Sequence, residues 1–364
     1  MSEETRSRLQ TIANSPELFL RDIDPVRDIA VLSPMSEATY RASSFLDSRI
    51  ERDGERDLGM PLATLERLVE AQRPPRRTLH WLFHFGHCGS TLLSRLLGEV
   101  DGLLALREPA VVMGLARSLR QLGQPGFPVD AERWSTLRDL SFTLLGRSFR
   151  PDQQVLVKPT SHAANLIPEA LGFAGDARAL LLYLDLETYL ATMLRPETQR
   201  ELTLYARDFR IQDFRQYVPG QPDSAVDYPP GQLAAFTWLL HAREFAVALD
   251  DAGLGPRCLS LSFDDYLAAP AQWLGALCAF LGRPQPGAVV AALLAGPASA
   301  AYAKDPTHSY DASRRARELE QMRNTRGGEI AEAVAWAKDI ASGAPAFAGL
   351  IERFNRPKAP PGTA

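Results

Sequence analysis

Five short apolar runs punctuate the middle of the chain, with helical stretches between them. The first, Leu79-His80-Trp81-Leu82-Phe83-His84-Phe85, is aromatic-rich, of strand length, and followed directly by glycine. Leu103 to Leu106, Val155 to Val157, Ala179 to Leu184 and Cys258 to Leu261 come after it. Thr91 to Val100, Glu187 to Leu194 and Leu233 to Leu249 carry apolar residues at helical spacing. Strands alternating with helices predict an α/β fold, a parallel doubly wound sheet of about five strands flanked by helices. The runs are continuous rather than alternating, as expected of parallel strands covered on both faces.

The flanks read differently. Residues 1–76 are expected to form a helical N-terminal extension. Leu9, Ile12 and Leu18 mark one segment, Tyr40, Phe45, Leu46 and Ile50 a second, and Leu62 to Val69 a third. The third stops at the breaker Arg73-Pro74-Pro75-Arg76-Arg77. Residues 77–350 make up the α/β domain, and 351–364, rich in proline after Arg356, read as a disordered tail. Residues 196–231, dense in charge, Pro and Gly, suggest a helix and a long surface excursion. Tyr302 to His308 has the polar, proline-broken texture of a lid.

Composition narrows the partners. Hydrophobic residues are 45% and charged residues 23% of the chain, with a formal net charge of −4 and a pI near 5.9. No global basic field points to nucleic acid or an anionic membrane. No run approaches the ~20 apolar residues that span a bilayer, and the N-terminus lacks a signal-like apolar core. Three widely spaced cysteines, Cys88, Cys258 and Cys278, fit neither a disulfide framework nor a zinc pattern. The expectation is a cytoplasmic protein that uses no metal and builds any anion site locally.

One segment has the chemistry for such a site. Phe85-Gly86-His87-Cys88-Gly89-Ser90-Thr91-Leu92 leaves the first strand and opens a helix. Two glycines permit a tight turn and close approach of a ligand. The first helical amides are unpaired, Ser90 and Thr91 add hydroxyls, and the helix dipole favours an anion there. The plain alternative is an ordinary strand-to-helix turn with Ser90 as N-cap. The nucleotide-hydrolysing version of this loop requires a lysine, which is absent here. Cys88 beside a helix N-terminus is either a redox-sensitive thiol or a small residue in place of serine.

The loop resembles that of the sulfotransferase family, whose bacterial members carry a stretch similar to P-[RK]-S-G-[TS]-T-x-L-L after the first strand. Three later segments match in order: Lys158-Pro159-Thr160-Ser161-His162, Leu181 to Thr192, and Leu259 to Pro270 followed by Phe280-Leu281-Gly282-Arg283-Pro284. The resemblance implies 3′-phosphoadenosine 5′-phosphosulfate (PAPS) as donor and sulfuryl transfer to a hydroxyl or amine of a small-molecule or peptide acceptor. Gly86, His87, Cys88, Gly89, Ser90, Thr91 and Leu92 would cradle the 5′-phosphate. His87 stands where the family has Lys or Arg. Leu184 and Thr192 stand where it has Arg and Ser for the 3′-phosphate, which makes Arg195, Arg314 and Arg315 candidate substitutes for the missing cation.

Sulfuryl transfer needs cations and amide dipoles at the departing oxygen and a base at the acceptor proton. Lys158, at a strand end, is the candidate cation, with His87 beside it. Glu108, after Leu106-Arg107, is the candidate base and His162 the rival. The acceptor would meet loops 109–150 and 196–231. Two alternatives stand beside this reading: an atypical ATP-dependent kinase, with Asp264 and Asp265 as its only magnesium candidates, and a non-catalytic nucleotide-binding relative.

Overall fold

Eight strands in two sheets organise the residues that the computed structural model describes, 3–50, 56–196, 198–199, 202, 210–300 and 312–361. The larger sheet contains β4 (Leu79–His84), β5 (Leu103–Arg107), β6 (Gln154–Lys158), β7 (Ala179–Tyr183) and β8 (Cys258–Ser262), in the spatial order β5-β6-β4-β7-β8. Every neighbouring pair is parallel. β4, β5 and β7 are buried along their whole length. Helices cover both faces, so side chains pointing either way meet apolar neighbours. The expected doubly wound α/β sheet is the one that forms.

Helices follow the expected segments: Ser90–Gly98 after β4, Leu186–Met193 after β7, and Pro230–Asp250 before β8. In the longest of these, Phe236, Leu239, Leu240 and Phe245 are buried, with Phe245 against Phe85. Among the described residues no helix is long and apolar enough to cross a membrane.

The N-terminal extension is not simply helical. It contains β1 (Leu18–Asp24), β2 (Ile29–Pro34) and β3 (Leu58–Pro61), an antiparallel sheet of order β1-β2-β3, beside the helices Glu3–Gln10, Glu37–Ala42 and Leu62–Gln72. Leu18, taken as a helical position, begins β1 instead. These strands are half-exposed and a bulge interrupts β1 between Leu20 and Asp22, so neither a continuous nor a cleanly alternating pattern shows in the sequence. Buried Arg147 ties the extension to the domain by donating to the carbonyls of Ile12, Ser15 and Leu18.

The described part of the C-terminal tail is ordered. Leu350–Phe354 is helical, and Phe354 is 1% exposed. The Lys358 amide donates to Asp265, and its ammonium donates to Ser260 Oγ at 2.6 Å while lying over the Tyr183 ring. One buried aromatic and one tethered lysine outweigh the disordering bias of the prolines. Residues 196–231 also run partly inside: Arg210 is fully buried, and Phe214, from the helix Ile211–Tyr217, stacks on Phe236. The lid-like block Tyr302 to His308 lies outside the described residues.

Candidate active site

β4 lies between β6 and β7, and its outgoing helix crosses toward β5 while the chain later returns to β7 on the other side. This reversal opens a crevice beyond the carboxyl end of β4, the place where doubly wound sheets hold ligands. The loop Phe85–Gly89 sits there. Gly86 (φ 87°), His87 (φ 49°) and Gly89 (φ 75°) all take left-handed backbone conformations. Gly89, not Ser90, is the N-cap, and no side chain caps the helix. The amides of Ser90, Thr91 and Leu92 therefore lack the side-chain acceptor that an ordinary capped turn supplies. A Cβ on Gly89 would lie 2.1 Å from the Phe263 ring, so Phe263 backs the loop and only glycine fits. Gly86 packs against Ser161, whose Oγ a Cβ would meet at 3.3 Å. Cys88 is fully buried, and burial pushes its thiol up to about 11, so it fills space as a small residue rather than serving as a reactive thiol.

The two principal catalytic candidates meet at the ends of adjacent strands. Register pairs Arg107 of β5 with Lys158 of β6, and the Glu108 amide donates to the Lys158 carbonyl at 2.6 Å. Glu108 has φ 52°, rare for a residue with a long side chain. Lys158 Nζ donates to Glu108 Oε1 at 2.5 Å. Lys158 is 1% exposed and Glu108 22%, so the lysine is sunk in the protein and the carboxylate partly faces the crevice. Glu108 Oε2 lies 3.9 Å from Nη2 of Arg49.

Arg49 belongs to the N-terminal extension, which walls this end of the sheet. The Leu46 amide donates to the Arg107 carbonyl at 2.7 Å, and the Ala110 amide donates back to the Leu46 carbonyl. Arg95, on the loop's own helix, donates to Ser44 Oγ. Buried Arg107 donates to the carbonyls of Tyr40 and Arg41. The apolar pattern offered Phe45 and Leu46 only as helix-face residues, and nothing in it pointed Arg49 toward Glu108.

His84 is a second residue the sequence reading passed over. Its Nδ1 accepts the Gly86 amide at 3.0 Å, which leaves Nε2 to carry the proton and donate to the Pro159 carbonyl at 3.0 Å. Burial, then the neighbouring Lys158 charge, hold this imidazole well below its ordinary pKa and so neutral. One ring therefore joins the loop to the segment carrying Lys158. A histidine at the end of a mainly apolar strand, directly before the glycine loop, is the signal that marks it.

His162, the rival base, lies in a different setting. It is 4% exposed, and its Nδ1 accepts from Nε of buried Arg210 at 3.2 Å. Arg210 also contacts His241, and its Nη1 lies 3.5 Å from Glu244. Burial, then the Arg210 charge, keep both imidazoles well below the ordinary range. With its Nδ1 lone pair engaged inside this network, His162 is the poorer candidate for a proton acceptor.

The 3′-phosphate candidates divide. Leu184 is core. Thr192 is buried and its hydroxyl bonds the Thr188 carbonyl four residues back, so it serves its own helix. Arg195 donates to the Thr192 carbonyl and to Glu318, and exposed Arg314 pairs with the other oxygen of that Glu318. Arg195 and Arg314 thus come together, with a carboxylate between them. Arg315 stands nearer the loop: its guanidinium lies 5.4 Å from the centroid of the Phe263 ring that backs Gly89, and Nη1 bonds Asp264. Its Nη2 is buried with no hydrogen-bond partner among the described residues. The magnesium candidates Asp264 and Asp265 bond Arg315 and the Lys358 amide.

No family model and no curated protein matches the chain. It is similar to several solved structures. One is a sulfotransferase domain from the curacin biosynthetic pathway, at 14% identity over 70% of this chain and 98% of that one, with a TM-score of 0.42. Another is a sulfotransferase from Alicyclobacillus acidocaldarius, at 14% identity, 74% and 96% coverage and a TM-score of 0.36. A third is retinol dehydratase in complex with androsterone and the inactive cofactor PAP, at 15% identity, 75% and 83% coverage and a TM-score of 0.37. The likeness is one of fold, loose enough that the chemistry of this chain rests on its own residues.

Proposed function

We propose that the protein transfers a sulfuryl group from PAPS to a hydroxyl of a small-molecule acceptor. The observation that carries this reading is the contact between Lys158 and Glu108 beside an anion loop that has neither a lysine nor a side-chain cap. The residues present suit such a donor. The amides at the uncapped start of the helix offer donors to a 5′-phosphate, and the buried Nη2 of Arg315 is a cationic donor without a partner among the described residues. The donor supplies an activated sulfuryl group, released as its bond to the 5′-phosphate breaks.

Glu108 takes the acceptor's hydroxyl proton on Oε2, while Oε1 stays with Lys158, which aims the carboxylate. Lys158 has three N–H donors and gives one to Glu108, so two remain for the charge that gathers on the departing phosphate oxygen. His84 holds loop and lysine in register for both tasks.

The test is a calorimetric titration with 3′-phosphoadenosine 5′-phosphate in excess chelator, together with turnover on a panel of phenols and alkanols. Binding without metal and a drop of about 10²–10⁴-fold in turnover for Glu108→Gln, whose amide oxygen still accepts from Lys158, are the expected results. Undiminished turnover in Glu108→Gln would sink the mechanism, and binding that required Mg²⁺ would favour phosphoryl transfer from ATP.

The second reading is a nucleotide binder without turnover. The Glu318 carboxylate between Arg195 and Arg314 favours it, since that anion competes with a 3′-phosphate. Equal affinities for ADP and for 3′-phosphoadenosine 5′-phosphate, with no transfer, would select it.

A further inference from the structure

Residues 43–50 run past the proposed base as a series of turns, tied by Leu46 to the backbone on both sides of Glu108. Phe45 and Arg49 flank that tie, the first partly exposed and the second exposed. Cζ of Arg49 stands 3.6 Å from the centroid of the Phe45 ring. Carbon atoms in contact are about 3.5–4.0 Å apart, so at that distance guanidinium and ring lie face to face. One edge of the guanidinium is set as well: Nε donates to Asp47 Oδ1 at 2.9 Å and Nη2 to Oδ2 at 2.5 Å. Phe45 and Asp47 together fix the plane of an otherwise flexible side chain.

That plane stands beside the carboxylate. Nη2 lies 3.9 Å from Glu108 Oε2, the oxygen that Lys158 does not hold. With its contacts to Phe45, Asp47 and Glu108 made, 54% of the Arg49 side chain is still exposed, so a ligand can reach it. Asp47 balances the charge of Arg49, and what the pair presents is chiefly a flat surface. Arginine planes stack on aromatic faces. A hydroxyl that donates to Oε2 at about 2.7 Å, carried directly on an aromatic ring, brings that ring within the ~6 Å reach of the guanidinium. The proton chemistry points the same way, since a carboxylate takes a proton more readily from a phenol, with a pKa of about 10, than from an alkanol.

We infer that the acceptor is a phenol, with its hydroxyl at Glu108 and its ring laid on the Arg49 plane, and that the N-terminal extension supplies this recognition surface. The inference deepens the sulfuryl-transfer reading and rests on it for the reacting hydroxyl; the stacking preference is read from binding alone.

The experiment compares 2-naphthol with 2-decalol, its saturated counterpart, by calorimetric titration of the full chain with and without 3′-phosphoadenosine 5′-phosphate. The two carry one hydroxyl on the same two-ring carbon frame, and only the first is flat. The readout is the ratio of their affinities, so a change that weakens both equally cancels. Arg49→Met keeps the length of the side chain and removes its plane. It is expected to lower the preference for 2-naphthol about fivefold, the worth of one partly exposed cation–π contact. Phe45→Leu leaves Arg49 in place without the ring that holds its plane, and is expected to lower the preference by a smaller factor. Neither side chain is buried, so both variants keep the core. An unchanged ratio in Arg49→Met, or no measurable binding of either probe, would overturn the inference. A preference abolished by Arg49→Met in a protein that fails to bind the nucleotide would instead count against PAPS while leaving the phenol surface assigned.

Discussion

Gly89→Ala tests the geometry of the loop without requiring a known acceptor. Two costs follow from the structure. A side chain at φ 75° takes on left-handed strain of about 1 kcal/mol. The new methyl also collides with the Phe263 ring at 2.1 Å. That ring is 1% exposed and stacked on Tyr266 with centroids 5.9 Å apart, so it has little room to turn aside. Overpacking of this kind costs about 1–3 kcal/mol, for a total near 2–4 kcal/mol. Phe263→Ala alone leaves a cavity worth about 3–5 kcal/mol. In the double variant the collision vanishes, so Gly89→Ala should cost only about 1 kcal/mol in the Phe263→Ala background. Urea unfolding of the four proteins, read by tryptophan fluorescence and extrapolated linearly, closes the cycle. Strict additivity, to within ~0.5 kcal/mol, would show that Phe263 does not back the loop.

Three further outcomes are expected. His80, His84, His162 and His241 all have depressed pKa values through burial, His80 to about 4, so the unfolded chain binds more protons below its own His pKa. Their stabilisation is therefore full above about pH 6.5 and lost as the pH falls below it, by roughly 1.4 kcal/mol per histidine between pH 7.5 and 5.5; a urea midpoint unchanged over that interval would contradict the buried neutral state. His84→Leu leaves the Gly86 amide and the Pro159 carbonyl without their partner and should weaken 3′-phosphoadenosine 5′-phosphate binding about tenfold, whereas His84→Gln, able to accept and donate at once, should restore part of it; equal affinities in both variants would deny the ring its positioning role. Burial pushes the thiols of Cys88 and Cys278, both fully buried, up to about 11, so these two should titrate with an aromatic disulfide at pH 7.5 only on the timescale of unfolding, after any reaction of half-buried Cys258; two or more fast-reacting thiols would contradict their burial.

The parallel sheet was legible because its strands are largely buried on both faces, β4, β5 and β7 along their whole length, and so appear as mainly apolar runs. The N-terminal sheet was not, because its short strands mix exposed and buried positions, as in Leu58–Pro61, and Leu9, Ile12 and Leu18 fall near helical spacing by coincidence. Glu108 and Lys158 were each nominated from their places after strands. Their contact depends on the register that sets Arg107 opposite Lys158, a relation between residues 50 apart that one-dimensional spacing does not contain. Arg210, His241 and Glu244 were invisible for the opposite reason: a buried charged network is polar in sequence and resembles a solvated segment. Thr192 was nominated from a resemblance, and the structure uses its hydroxyl as a backbone partner.

The exchange of backbone hydrogen bonds between Leu46 and the two sides of Glu108 has a practical consequence for dissecting this protein. A chain trimmed to begin at Arg77 would keep every strand of the large sheet. It would lose the strap that pins Arg107 and Ala110 on either side of Glu108, the proposed base, and Arg107 would lose the Tyr40 and Arg41 carbonyls that receive its buried charge. Buried Arg147 would likewise lose the Ile12, Ser15 and Leu18 carbonyls. The N-terminal segment thereby braces the candidate site, and substitutions near Ser44 to Arg49 are expected to act on Glu108 even though they lie about 60 residues from it in the chain.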